Sequence, residues 1–169
     1  TDIKNYFEKT LQRSLQEIDL SLFTSYLTLD AGINEGKNEV QFLFVYDKES
    51  RHLQHCQPSD LQEELNGVAF QSPYGEFSFA GVPSEGMVSR EDLFMDLLSV
   101  VSDSADVKRM IVVSFNEEYG KKVTDVLQGL KGKEVMQFRM NEPEISVNYK
   151  WDMLAFPVMH SLGIRAEEL

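Results

Sequence analysis

The residues best suited to chemistry gather in one short run, His52-Leu53-Gln54-His55-Cys56. Imidazole and thiolate are the usual ligands of zinc, and a thiol beside a cationic imidazole is a candidate nucleophile. The spacing works against both. The run reads as strand, where successive side chains alternate between faces, so His52 and His55 point apart and Cys56 points away from His55. His160 could join only through the fold. Ordinary strand residues are the simpler reading, and no metal is expected. Other signatures are missing. No Gly-x-Ser-x-Gly elbow occurs, and no Gly-x-Gly-x-x-Gly follows a strand. Gly36-Lys37 lacks both the spacing of a phosphate loop and the Ser or Thr that should follow the lysine. Asp30 to Asn34 fails as a calcium loop because Glu35 stands where glycine is needed. No catalytic residue and no cofactor is assigned.

Carboxylates remain. The 169 residues hold 28 Asp and Glu against 16 Lys and Arg, a net charge of −12. Phosphate contacts need clustered cations, and the longest basic clusters are the pairs Lys108-Arg109 and Lys121-Lys122, so neither nucleic acid nor an anionic membrane is expected as a partner. The acids are uneven. Residues 58–106 carry ten of them against Arg90 alone, whereas 107–169 balance nine against nine. A solvated face that maintains solubility would account for this. The sharper expectation is a surface that steers a basic protein through Asp60, Glu63, Glu64, Glu85, Glu91, Asp92 and Asp96. Aromatics on loops are common anchors, and Tyr74, Phe77 and Trp151 are the candidates, though all three could equally cover the edge of the core. Glu117-Glu118 opens a helix after a strand, a position that favours ligands but also favours acids through the helix dipole.

These residues must be held by a core, and the chain can build one. Apolar residues are 42% of it and eleven are Phe, too many for a disordered chain. Single Cys56 rules out an internal disulfide and points to a reducing, cytoplasmic setting. No apolar run approaches the roughly 20 residues of a membrane span, and no signal-peptide pattern opens the sequence as given. Ile3, Tyr6, Phe7, Leu11, Leu15 and Ile18 predict a helix over 3–19. Strands are expected at 22–29 and 39–46, with a hairpin from the latter into 51–56. Ser59 with Gln62 predicts a capping box for a short helix. Residues 67–87, punctuated by glycine and proline, read as an irregular hinge or loop with one short strand at Phe77–Phe79. Ser89 caps the next helix. Strand 107–115, helix 117–130 and strand 135–140 have the spacing of a parallel crossover, followed by an antiparallel strand at 145–150. Pro157 predicts a kink or two short pieces in the tail.

The expected architecture is therefore α+β or mixed α/β, one domain over 1–169, with a single mixed sheet of about five to seven strands flanked by helices. The expected function is an acidic protein-interaction module, of the inhibitor, immunity, adaptor or chaperone kind, whose partner is a basic protein. The alternative is a small enzyme for a cationic or neutral metabolite, with its site near Phe115, Asn116 and Glu117.

Overall fold

A computed structural model describes residues 2–114 and 116–169. The class is mixed α and β, and the chain divides into two compact units: Thr1–Glu85 with Ala155–Leu169, and Gly86–Leu154. The boundary falls at Glu85, inside the glycine- and proline-rich stretch.

The first unit opens with helix α1, Asp2–Leu11, shorter than the predicted 3–19. It stops where Gln12 turns left-handed at φ 52°. Residues far along the chain capture the next segment. The Arg13 guanidinium donates to Glu168 at 2.8 and 3.0 Å, and the Gln16 amide donates to Ser161 O at 3.0 Å. A two-residue strand β1, Ile18–Asp19, leads into α2, Leu20–Asp30, where a strand was expected. Asp19 decides this locally, because its carboxylate caps the helix by accepting from Ser21 N at 2.8 Å and Leu22 N at 3.3 Å. Leu20, Thr24, Leu27 and Thr28 are buried at helical spacing, and the threonine hydroxyls are satisfied by donating to Leu20 O and Thr24 O.

Strand β2, Asn38–Tyr46, follows the predicted range closely. No hairpin returns from it. Only Cys56–Gln57 is extended, as β3, and it pairs parallel with β1. After a π-helical turn at Leu61–Leu65, the stretch expected to be irregular apart from a short strand at Phe77–Phe79 forms a hairpin of β4, Ala69–Ser72, and β5, Gly75–Pro83, which contains that strand. β5 lies in the middle of the sheet β2-β5-β4, parallel to β2 along its whole length. Its glycines permit this strand. A Cβ on Gly75 (φ +130°) would stand 2.0 Å from Asn38 O, and one on Gly81 would stand 2.7 Å from Leu61 O. One face of the sheet is a phenylalanine cluster, with Phe42 4.9 Å from Phe79 and Phe70 5.5 Å from Phe77. In the tail, α5 (Ala155–Ser161) contains Pro157 without breaking. Proline is tolerated there because it stands in the first turn, where N–H groups have no helical partner.

The second unit is built on α3, Arg90–Asp103, β6, Arg109–Val113, α4, Asn116–Gly129, and β7, Glu134–Arg139. Ser89 Oγ caps α3 by accepting from Asp92 N at 3.0 Å. β6 and β7 pair parallel across α4, as the spacing predicted. The last strand, β8, is Lys150–Met153, and it adds to β7 parallel instead of antiparallel from 145. Leu98 of α3, Tyr119, Val123 and Leu127 of α4, and Met110, Val112 and Val135 of the sheet form a core separate from the phenylalanine cluster. The single sheet of five to seven strands is therefore corrected. Among the described residues the strands form sheets of two, three and three, because each unit closes its own apolar cluster and neither needs the other's strands.

Candidate functional site

The acids nearest the start of the central stretch are used internally. Asp60 is buried, and its carboxylate accepts from Arg51 Nε at 3.0 Å and Nη2 at 2.7 Å. It also caps the π-helical turn through Gln62 N at 2.9 Å and Glu63 N at 3.0 Å. Hydrogen bonding to Arg51 holds the Asp60 carboxyl well below the usual carboxylate range, and reciprocally raises Arg51. Glu63 lies 2.9 Å from the same guanidinium. Glu64 accepts from Asp60 N at 2.8 Å and Ser59 N at 3.0 Å, which lowers its pKa. The predicted cap at Ser59 thus moves one residue on, to Asp60. These three carboxylates hold a turn together. They are not a free patch.

The loop aromatics are also committed. Phe77 is 0% exposed on β5, so it cannot anchor a partner. Tyr74 is half-buried against the same cluster, and Trp151 is half-buried on β8 beside Gln137 of β7. In the His52–Cys56 run, burial pushes the Cys56 thiol up, opposite to the shift a reactive thiolate needs. Among the described residues no group of three or more His, Cys, Asp or Glu is placed to hold a metal ion. None of the helices described there is long and apolar enough to cross a membrane.

The remaining candidates are Glu85, exposed after β5, and three on α3. Glu91 is paired with Lys122 of α4. Asp92 and Asp96 are exposed, and a third acid missed in the sequence, Asp103, joins them. On a helix of 3.6 residues per turn, positions 92, 96, 99 and 103 fall within about 60° of one another and span about 16 Å. Asp92, Asp96, Ser99 and Asp103 are all exposed on that stripe, with Val100 66% exposed at its flank. No ion pair engages the three aspartates among the described residues. The recurrence of acids at steps of four and seven was the signal that could have found Asp103.

Phe115 and the side chains of Asn116 and Glu117, where the enzymatic alternative was centred, lie outside the described residues. Nearby, at the C-terminal end of the parallel strands, Gln137 is wholly buried. Its Oε1 accepts from Tyr149 Oη at 2.8 Å and Arg139 Nη1 at 3.3 Å, and its Nε2 donates to Ser114 Oγ at 3.4 Å. This network was not foreseen, because a lone strand glutamine carries no local signal.

A family model matches residues 1–169, and its description is "Family of unknown function (DUF6621)". The chain belongs to the DUF6621 family. No curated protein matches it. No solved structure does either. The DUF6621 description names no activity.

Proposed function

We propose that this chain is a protein-interaction module that binds a basic protein through the exposed face of α3. The observation that supports this is the stripe Asp92, Asp96, Ser99 and Asp103, acidic, in line, exposed and in no ion pair among the described residues, although Lys122, paired with Glu91, is near enough to Asp92 to interact with its charge. Three like charges along about 16 Å of a rigid element focus potential better than the same charges on loops. Exposed Val100 supplies an apolar contact beside them. The reading is narrower than a continuous central patch, since Asp60, Glu63, Glu64 and Glu91 already have partners. The cytoplasmic setting suggested by a single cysteine belongs to the same proposal. The enzymatic alternative draws no support from the described side chains, where Ser114, Arg139 and Tyr149 each bond to Gln137.

The test uses labelled octalysine and two variants of equal net charge. One carries Asp92→Lys, Asp96→Lys and Asp103→Lys. The other carries Glu49→Lys, Glu142→Lys and Glu144→Lys, all exposed positions outside α3. The first should bind octalysine about tenfold more weakly than the second at low salt, with the difference disappearing near 1 M, where the Debye length is about 3 Å. Equal loss in both would mean that net charge alone acts, and the proposal would fail.

A further inference from the structure

The first unit has an open sheet edge. Among the described residues, β5 is the only strand paired with β2. Beyond that ladder, the one backbone bond to residues 38–46 among the described residues is Ser84 N donating to Tyr46 O at 2.7 Å. In a parallel ladder every second residue turns its N–H and C=O outward, so this edge presents about four unpaired sets.

Proteins usually blunt such edges with short strands, prolines, bulges or lysines. The other outer strands of the two three-stranded sheets, β4, β6 and β8, run four, five and four residues. β2 runs nine, with no Pro, Gly or Lys, and its register with β5 is unbroken from Asn38↔Gly75 to Tyr46↔Pro83. A long, regular, unblunted edge is the template for strand addition.

The edge also has a charge requirement. Glu39 and Glu76 are direct register partners and both are exposed. Like charges directly opposite one another are unfavourable. Neither is in an ion pair among the described residues, and the only bond to either carboxylate there is from Gln71 Nε2 to Glu76 at 3.3 Å. A cation brought alongside β2 would relieve this pair. On the other face of β2, Phe42 and Phe44 are half-buried and leave apolar surface beside the same edge.

We propose that β2 accepts an added strand: an extended segment of a partner protein in which basic and apolar residues alternate. Its cations lie on the Glu39–Glu76 face and its apolar side chains lie beside Phe42 and Phe44. A second copy of this chain fits less well. Residues 38–46 carry no cation to offer, and two copies would bring −12 against −12. The residues of this edge are different from those of the α3 stripe, so either proposal can fail without the other.

The probe is the peptide acetyl-Lys-Val-Lys-Val-Lys-Val-Lys-amide, titrated into the full chain. The control is acetyl-Lys-Gly-Lys-Pro-Lys-Gly-Lys-amide, equal in charge but unable to form a regular strand. The alternating peptide should bind at least tenfold more tightly and should slow amide exchange at every second residue of 38–46. Glu39→Gln with Glu76→Gln should weaken it several-fold while leaving the protection pattern in place at saturation. Equal binding of the two peptides, or protection that misses 38–46, would overturn the proposal. So would protection of 38–46 that rises with protein concentration in the absence of peptide, because the edge would then be filled by a second copy.

Discussion

Replacing Phe77 with alanine separates a core residue from a binding anchor. The side chain is fully inaccessible, and its ring centre lies 5.1 Å from Phe42 and 5.5 Å from Phe70, both edge-on. Truncating a buried phenylalanine costs about 3–5 kcal/mol, more where the surroundings cannot collapse into the space. Here the walls are rings on three paired strands, held by β2–β5 and β4–β5 ladders. The expected cost is therefore at the upper end, about 4–5 kcal/mol. A domain has only about 5–15 kcal/mol in total, so the alanine variant should be marginal. Phe77→Leu keeps most of the volume and should cost about 1–2 kcal/mol, within measurable range. Urea unfolding supplies the energies, and amide exchange across 75–83 reads this unit by itself. Phe156→Ala is the control, since Phe156 is 48% exposed, and it should fall within about 0.5 kcal/mol of the parent. If Phe77→Ala cost no more than Phe156→Ala, the phenylalanine cluster would not be the core of this unit.

Three further outcomes are expected. Arg51 depresses the Asp60 carboxyl, so their interaction contributes stability above the unfolded pKa of about 4 and loses it as pH falls toward the lower folded value. Asp60→Asn should remove that part of the slope in urea midpoints measured below about pH 5, and an unchanged slope would exclude the pair as its source. Gly75→Ala should cost more than about 2 kcal/mol, because the new Cβ meets the Asn38 backbone at positive φ, whereas Gly132→Ala (φ +77°, open space) should cost about 1 kcal/mol; similar thermal melts for the two would contradict this. Gln137→Leu should cost about 1–3 kcal/mol by stranding the Tyr149 hydroxyl, read through fluorescence of the adjacent Trp151. A neutral result would show that the network braces nothing.

What could be read from the sequence was mostly local. Ser89 and the apolar side of α3 are contained within one segment, as are the strand, helix and strand of 109–139, and these were legible. Helix α1 was overextended because Leu15 and Ile18 continue its stripe, while the residues that pull Arg13 and Gln16 away, Glu168 and Ser161, lie about 150 positions on. Helix α2 was missed because β-branched and aromatic residues suggested strand. The competing signal is Asp19, two residues before Ser21, whose carboxylate caps the helix. Only Phe77–Phe79 of β5 is legible as strand, because glycine usually interrupts one, and the reason for Gly75 and Gly81, close approach of Asn38 and Leu61, is tertiary. The candidate acids illustrate the same limit. Composition located the negative stretch, but Arg51, nine residues from Asp60, decides that this carboxylate is internal. The stripe on α3 was partly legible through Asp92 and Asp96.

The most direct measurement for the central claim is a map of where a cation lands. Octalysine titrated into the isotopically labelled chain should shift the amides of 92, 96, 99 and 103 most strongly, and the shifts should fade as salt is raised. Shifts spread evenly over the surface, or greatest away from α3, would contradict the account.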